Sequence, residues 1–145
     1  MLLYAASDHA GFALKQALVA HARELGHEVL DLGPESPERV DYPDFGAKLG
    51  RAVAAKPGSR GILCCGSGIG IGIAANKVPG IRAVTAWDET SARLSRQHND
   101  ANVLALGERL IGPAVALAAL EVWLSTEFEG GRHAGRVAKL DALPG

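Results

Sequence analysis

Five short apolar runs, each parted from the next by a stretch of helical spacing, constrain this chain more than any other feature. Leu2 to Ala6, Val29 to Leu32, Gly61 to Cys65, Arg82 to Ala86 and Val103 to Leu106 read as strands. Between the first two, Leu14, Ala17, Leu18, His21 and Leu25 keep helical spacing until Gly26. Gly33 to Tyr42 carries two prolines and several charges and reads as a loop. Pro43 then opens a helix in which Phe45, Leu49 and Val53 fall four apart. A short helix is expected through Ala74, Ala75 and Asn76, and another from Asp88 to about His98. Pro113 starts a long Ala- and Leu-rich helix ending near Glu127, Gly130-Gly131 breaks the chain, and Arg132 to Leu143 reads as a last helix. Strands and helices that alternate in this way build a parallel sheet with helices on both faces. The expectation is an α/β three-layer sandwich with a five-stranded parallel sheet and a C-terminal helical extension. A length of 145 residues, 48% of them apolar, suits one domain spanning 1–145.

The charge is ordinary: 21% charged residues and a formal net charge of −1. No global field favours nucleic acid or an anionic membrane, so any anion recognition must be local. Met1 leads into Leu2-Leu3-Tyr4-Ala5-Ala6 with no basic segment before it, and the apolar run soon meets Asp8 and His9. That is too short for a leader or a spanning helix, and a cytoplasmic protein is expected. The two cysteines, Cys64 and Cys65, are adjacent. Neighbours in a strand point to opposite faces, so they make a poor disulfide, and a pair without other ligands makes no zinc site. The pattern suits a reducing compartment.

Parallel sheets bind ligands beyond the carboxyl ends of their strands. The segments to inspect are therefore Ser7-Asp8-His9, Cys65-Gly66 onward, Ala86-Trp87 and Gly107-Glu108-Arg109. The strongest of them is Cys65-Gly66-Ser67-Gly68-Ile69-Gly70-Ile71-Gly72. Alternate glycines let backbone N–H groups turn inward around an anion, and a helix starting there adds its positive end. A thiol beside those dipoles loses its proton more readily. A base next to an oxyanion hole is what proton abstraction beside a carbonyl requires. A glycine loop after a strand is more often a nucleotide loop, but the dinucleotide spacing fails here because the last required glycine falls on Ile71 or Ile73. No GK[ST] follows either. On the motif alone, a buried core thiol is about as good a reading of Cys65 as a reactive one, and for Cys64 it is the better one.

Elsewhere the bland readings compete well. Asp8 alone is best read as a helix cap, and a histidine such as His9 at a strand end is suggestive but weak. Arg96-Gln97-His98-Asn99-Asp100 ends a helix, where a cation answers the helix dipole, although His98 could move protons near neutral pH. Arg132 and Arg136, four apart, share a helix face that could grip a phosphate or simply be solvated.

Taken together, these segments resemble the type B ribose-5-phosphate isomerase family, which includes galactose-6-phosphate and allose-6-phosphate isomerases. The resemblance spans nearly the whole chain. It is carried by Ser7-Asp8-His9-Ala10-Gly11, Asp41-Tyr42-Pro43, Cys65 to Gly70, Ala74-Ala75-Asn76-Lys77, Ser95 to Val103 and Glu129-Gly130-Gly131-Arg132-His133. It implies a Rossmann-like fold, homodimers or dimers of dimers with active sites at the interface, and no metal or other cofactor. It implies interconversion of ribose 5-phosphate and ribulose 5-phosphate through an enediolate, in the non-oxidative branch of the pentose phosphate pathway. By position, Cys65 resembles the catalytic base, Ser67 an assisting hydroxyl and His98 the group that opens the sugar ring. The resemblance makes Gly66, Ser67, Gly68, Ile69 and Gly70 the enediolate loop. Asp8, Tyr42 and Asn99 would contact sugar hydroxyls, and His9, Arg109, Arg132 and Arg136 the phosphate. One branch of the family replaces the cysteine with a glutamate further along the loop; the matching position here is Ile71, which leaves Cys65 as the base.

Three other readings stand beside this one. The same chemistry on a six-carbon sugar phosphate needs more room near the hydroxyl ligands. A sugar-phosphate sensor without turnover would share the fold, since fold does not fix function. A thiol redox protein is disfavoured because Cys64-Cys65 lacks the C-x-x-C spacer.

Overall fold

The computed structural model describes residues 1–144; Gly145, the end of the expected 1–145 span, lies outside them. In chain order the elements are β1 (Leu2–Ser7), α1 (Phe12–Glu24), β2 (Glu28–Asp31), α2 (Tyr42–Ala55), β3 (Arg60–Cys65) and α3 (Ile69–Asn76). They continue with β4 (Ala83–Thr85), α4 (Glu89–Asn99), β5 (Val103–Gly107), α5 (Pro113–Ser125) and α6 (Arg132–Ala142). The expected Rossmann-like α/β architecture is observed, with boundaries within about two residues of the sequence reading.

All strand pairs are parallel, in the order β2-β1-β3-β5-β4. The order reverses between β1 and β3: β2 lies on one side, β5 and β4 on the other. In open α/β sheets the crevice at such a reversal is where ligands bind. The termini of β1 and β3 there are Ser7-Asp8-His9 and Cys65-Gly66, because Ser7 pairs with Cys64 in register. The central strands are buried on both faces, which explains their unbroken apolar runs.

Two apolar layers sandwich the sheet. On one face Leu14 and Leu18 of α1, Ala92 of α4 and Leu120 and Trp123 of α5 pack with Leu3, Ile62, Cys64 and Leu104. On the other, Leu49 and Val53 of α2 and Ile71 and Ala75 of α3 pack with Leu63, Cys65 and Val103. The adjacent cysteines thus point into opposite layers, as strand geometry requires. Ile71 is fully buried, so α3, and with it the loop before it, is pinned to the core. Trimming such a residue to Ala typically costs about 2–5 kcal/mol.

The helix ends follow local chemistry. Asp88 accepts the Ser91 N–H at 2.7 Å while Ser91 Oγ receives the Asp88 N–H at 3.2 Å, a reciprocal cap that starts α4. Asp100, in the left-handed region at φ 47°, ends it. Pro113 sits in the first turn of α5, where its missing N–H costs nothing. No helix among the described residues is long and apolar enough to cross a membrane.

Candidate active site

Where the sheet order reverses, the molecule opens into a cleft of about 620 Å³ lined by Asp8, His9, Ala10, Tyr42, Cys65, Gly66, Ser67, Ile69, Gly70, Ile73, Arg109 and Leu110. Nine of the residues picked out in the sequence line it: Asp8, His9, Tyr42, Cys65, Gly66, Ser67, Ile69, Gly70 and Arg109.

Cys65 ends β3 and its sulfur faces the start of α3. The Gly68 N–H donates to Cys65 Sγ at 3.0 Å. Gly68 takes φ +77°, and a Cβ there would lie 2.8 Å from the Leu106 carbonyl carbon, so only glycine lets the loop fold back onto the thiol. Gly68 itself is buried and is not among the residues lining the cleft, and its N–H points at the thiol. Ser67 Oγ accepts the Ile69 N–H at 3.1 Å, which leaves the hydroxyl proton for another acceptor.

The surrounding segments are zipped to this loop through the backbone. The Glu108 N–H donates to Cys65 O at 3.0 Å and the Arg109 N–H to Gly66 O at 2.9 Å, while the Arg109 side chain passes over Gly66. Asp8 is buried and accepts the Gly11 N–H at 3.0 Å, so it closes the turn into α1 as well as lining the cleft. His9 Nδ1 lies 3.1 Å from Val40 O and 3.2 Å from Val40 N. That contact fixes the ring and leaves Nε2 as its other polar atom. The Tyr42 ring covers Gly70 so closely that a Cβ there would come within 2.6 Å of it.

Cys64 behaves differently. It is fully buried, and burial, reinforced by Glu108 nearby, pushes its thiol pKa far up. It is a core residue, as its position in the strand suggested.

His98, Asn99, Arg132 and Arg136 do not line the cleft of their own chain. α4 ends just before β5 begins, at the amino ends of the strands, whereas Cys65 lies at the carboxyl end of the sheet. The five residues of β5 alone separate the two ends by about 15 Å. There His98 stacks on His133, ring centroids 4.4 Å apart, with Glu129 3.6 Å from His133 and 4.0 Å from His98. Burial, then the neighbouring His98 and Arg132, lower the His133 pKa. Arg96, in the same polar run, is structural: it is buried and donates to Thr126 O, Asp100 Oδ1 and Ala101 O.

Two residues with clear structural work were not visible in the sequence. Glu108 reaches from the end of β5 to accept the Leu14 N–H at 2.7 Å, capping α1 from 94 residues away. Lys15 is fully buried yet charged, and its ammonium donates to Asp31 Oδ1 at 2.9 Å and Pro34 O at 2.7 Å. This contact holds the start of the loop that leads to Val40 and Tyr42. A long-range cap and a buried ammonium leave no periodic signal in sequence.

Comparison with known proteins shows the family of the chain. The family model described as Ribose/Galactose Isomerase matches residues 3–140. Ribose-5-phosphate isomerase B of Escherichia coli (strain K12) is 51% identical over 136 residues, which are 94% of this chain and 91% of that protein. The structure of Clostridium thermocellum ribose-5-phosphate isomerase B superposes with a TM-score of 0.95 at 51% identity, covering 98% of this chain and 96% of that one. Ribose-5-phosphate isomerase B from Mycoplasma genitalium, solved with bound ribulose 5-phosphate, superposes with a TM-score of 0.94 at 38% identity, covering 97% and 94%.

Proposed function

Because this chain belongs to the ribose/galactose isomerase family, we propose a mechanism in which it interconverts ribose 5-phosphate and ribulose 5-phosphate with Cys65 as the base. The enzyme is an aldose–ketose isomerase acting on a sugar phosphate, and the span 1–145 serves as its isomerase domain. The observation that carries the mechanism is the Cys65 sulfur at the floor of the cleft, held by the Gly68 N–H at 3.0 Å. A hydrogen bond of this kind is strongest when the acceptor is charged, which supports Cys65 in the role of base.

In the opened aldose, the Cys65 thiolate takes the C2 proton. The electron pair moves into a C1–C2 double bond and negative charge develops on the C1 oxygen. Backbone N–H groups of the cleft-lining loop residues and the Ser67 hydroxyl stabilise that oxygen and assist transfer of the C2 hydroxyl proton. The thiol then returns its proton to C1, leaving the ketone at C2. Each oxyanion donor of this type is worth about 2.7–4 kcal/mol of barrier. Asp8 and Tyr42 hold sugar hydroxyls, and His9 with Arg109 supplies part of the phosphate site.

A second copy of the chain supplies the rest. Its His98 opens the furanose ring, its Asn99 contacts the sugar, and its Arg132 and Arg136 complete the phosphate grip. What supports this is that the four lie outside their own chain's cleft, while Tyr42, Ile69, Ile73 and Leu110 form an exposed apolar rim around it. The cytoplasm, where phosphorylated sugars are retained, is the expected location.

The test is ribulose 5-phosphate formation from ribose 5-phosphate, followed for the native protein and for Cys65→Ala with a chelator present. Turnover that disappears in the variant supports the assignment; turnover that survives moves the base elsewhere in the cleft.

A further inference from the structure

The stacked histidines at the end of α4 have a feature that ring opening does not use. His133 is only 6% exposed, and its Nε2 has no hydrogen-bond partner. Burying a polar nitrogen without a partner is unfavourable, so such an atom calls for a ligand. It faces Glu129 Oε1 at 3.6 Å, and the same carboxylate oxygen lies 4.0 Å from His98 Nε2. The three donor atoms all lie within 4.8 Å of one another.

We propose that His98 Nε2, Glu129 Oε1 and His133 Nε2 form a binding site for a divalent transition-metal ion of the zinc type, joining the last turn of α4 to the first turn of α6. The backbone holds the three residues together without the ion. The Glu129 N–H donates to Gln97 O at 3.1 Å and the His133 N–H to Gly130 O at 3.0 Å. Zinc bonds of about 2.0–2.1 Å place tetrahedral donors about 3.3 Å apart, so the set must contract by about 1 Å. The side chains able to move are the outer two: His98 is 39% and Glu129 50% exposed, whereas His133 is fixed by burial. The two rings lie 16° from parallel, so their in-plane lone pairs run side by side, and His98 must tilt for both to meet one ion.

The donor set decides the class of ion. Two imidazoles and one carboxylate suit zinc, cobalt, nickel or copper and leave a fourth position for water, whereas magnesium and calcium want oxygen ligands. Arg132 and Arg136 lie near enough to His133 to repel any cation. A site facing that repulsion holds an ion by inner-sphere nitrogen bonds, not by charge alone. One consequence rests on the proposed function: an ion bound to His98 withdraws it from ring opening and slows turnover of ribose 5-phosphate. The binding itself does not depend on that reading.

The experiment is titration of chelator-treated protein with cobalt(II), followed by visible absorption, and with zinc by calorimetry. The expected result is one ion per chain, with the intense visible bands of four-coordinate cobalt and no thiolate charge-transfer band. Loss of a metal's supporting partner costs 10–100-fold in affinity, so loss of a ligand should cost at least about 100-fold. Glu129→Gln, at an exposed position, should show that loss with an unchanged melting temperature, and His133→Asn should show it as well. Cys65→Ser should bind cobalt as the native protein does. The proposal is overturned if no ion binds, if Glu129→Gln binds as tightly as native, or if a thiolate band is present and disappears in Cys65→Ser, which would place the ion in the catalytic cleft. Because binding is read by absorption and heat, a chain inactive toward ribose 5-phosphate would leave this test intact.

Discussion

Replacing Gly70 by alanine should disable the site while leaving the fold standing. A Cβ at position 70 would lie 2.6 Å from Tyr42 Cε1, 2.8 Å from Cζ and 3.1 Å from Cδ1. Ordinary carbon contacts are about 3.5–4.0 Å, so the ring must retreat by about 1 Å. It can do so, because Tyr42 is 43% exposed and its ring has water on one side. A misplacement of about 1 Å in a substrate-positioning group can cost about 100-fold in rate, or about 2.7 kcal/mol of barrier. Stability should move the other way or not at all, because Gly70 lies in the first turn of α3, where alanine gains up to about 1 kcal/mol over glycine. The assay is a double-mutant cycle: kcat/KM for ribose 5-phosphate, with thermal melts, for Gly70→Ala, Tyr42→Ala and the pair. If the new methyl acts by displacing the ring, it has nothing to displace in Tyr42→Ala, and the coupling energy should approach the whole effect of Gly70→Ala. Additive losses would refute the reasoning and mean that the added methyl harms the loop itself.

Other outcomes follow from the same geometry. Cys65→Ala should lower turnover by at least about 100-fold, the lower end for a general base, whereas Cys64→Ala should act on melting temperature with little change in KM. Asp31→Asn should destabilise by about 3 kcal/mol, because it leaves the fully buried Lys15 ammonium without its counter-charge. Lys15→Met should cost less, since the Asp31 it leaves is 29% exposed and can reach water; denaturant melts showing the reverse order would contradict this account. His98→Asn should slow the reaction from ribose 5-phosphate, a furanose, by about 100-fold. The reverse reaction should suffer less, because ribulose 5-phosphate has its C5 oxygen esterified and is already open. Ser91's backbone N–H, then its side chain, hold the Asp88 carboxyl below its usual range. The cap therefore stabilises fully above about pH 4 and fades as pH falls through the lowered native value, so the melting difference between native protein and Asp88→Ala should shrink in acid.

The sequence alone determined the layers of this fold. Strand runs such as Gly61 to Cys65 are apolar at successive positions because both faces of a central parallel strand are covered, and Pro113 and Gly26 mark helix ends through backbone chemistry that is local. The same locality made the Cys65 loop legible, since a strand end, alternating glycines and a helix start are all within eight residues. Only the tertiary structure decided the rest. It brought Gly68 hard against Leu106, on a strand 38 residues on in sequence, a separation no local pattern encodes. It separated His98, Asn99, Arg132 and Arg136 from the cleft, because α4 runs back from the carboxyl to the amino end of the sheet before β5 begins. The Glu108 cap on α1 and the buried Lys15–Asp31 pair likewise depend on which elements meet in space, and those meetings follow from the order of strands across the sheet rather than along the chain.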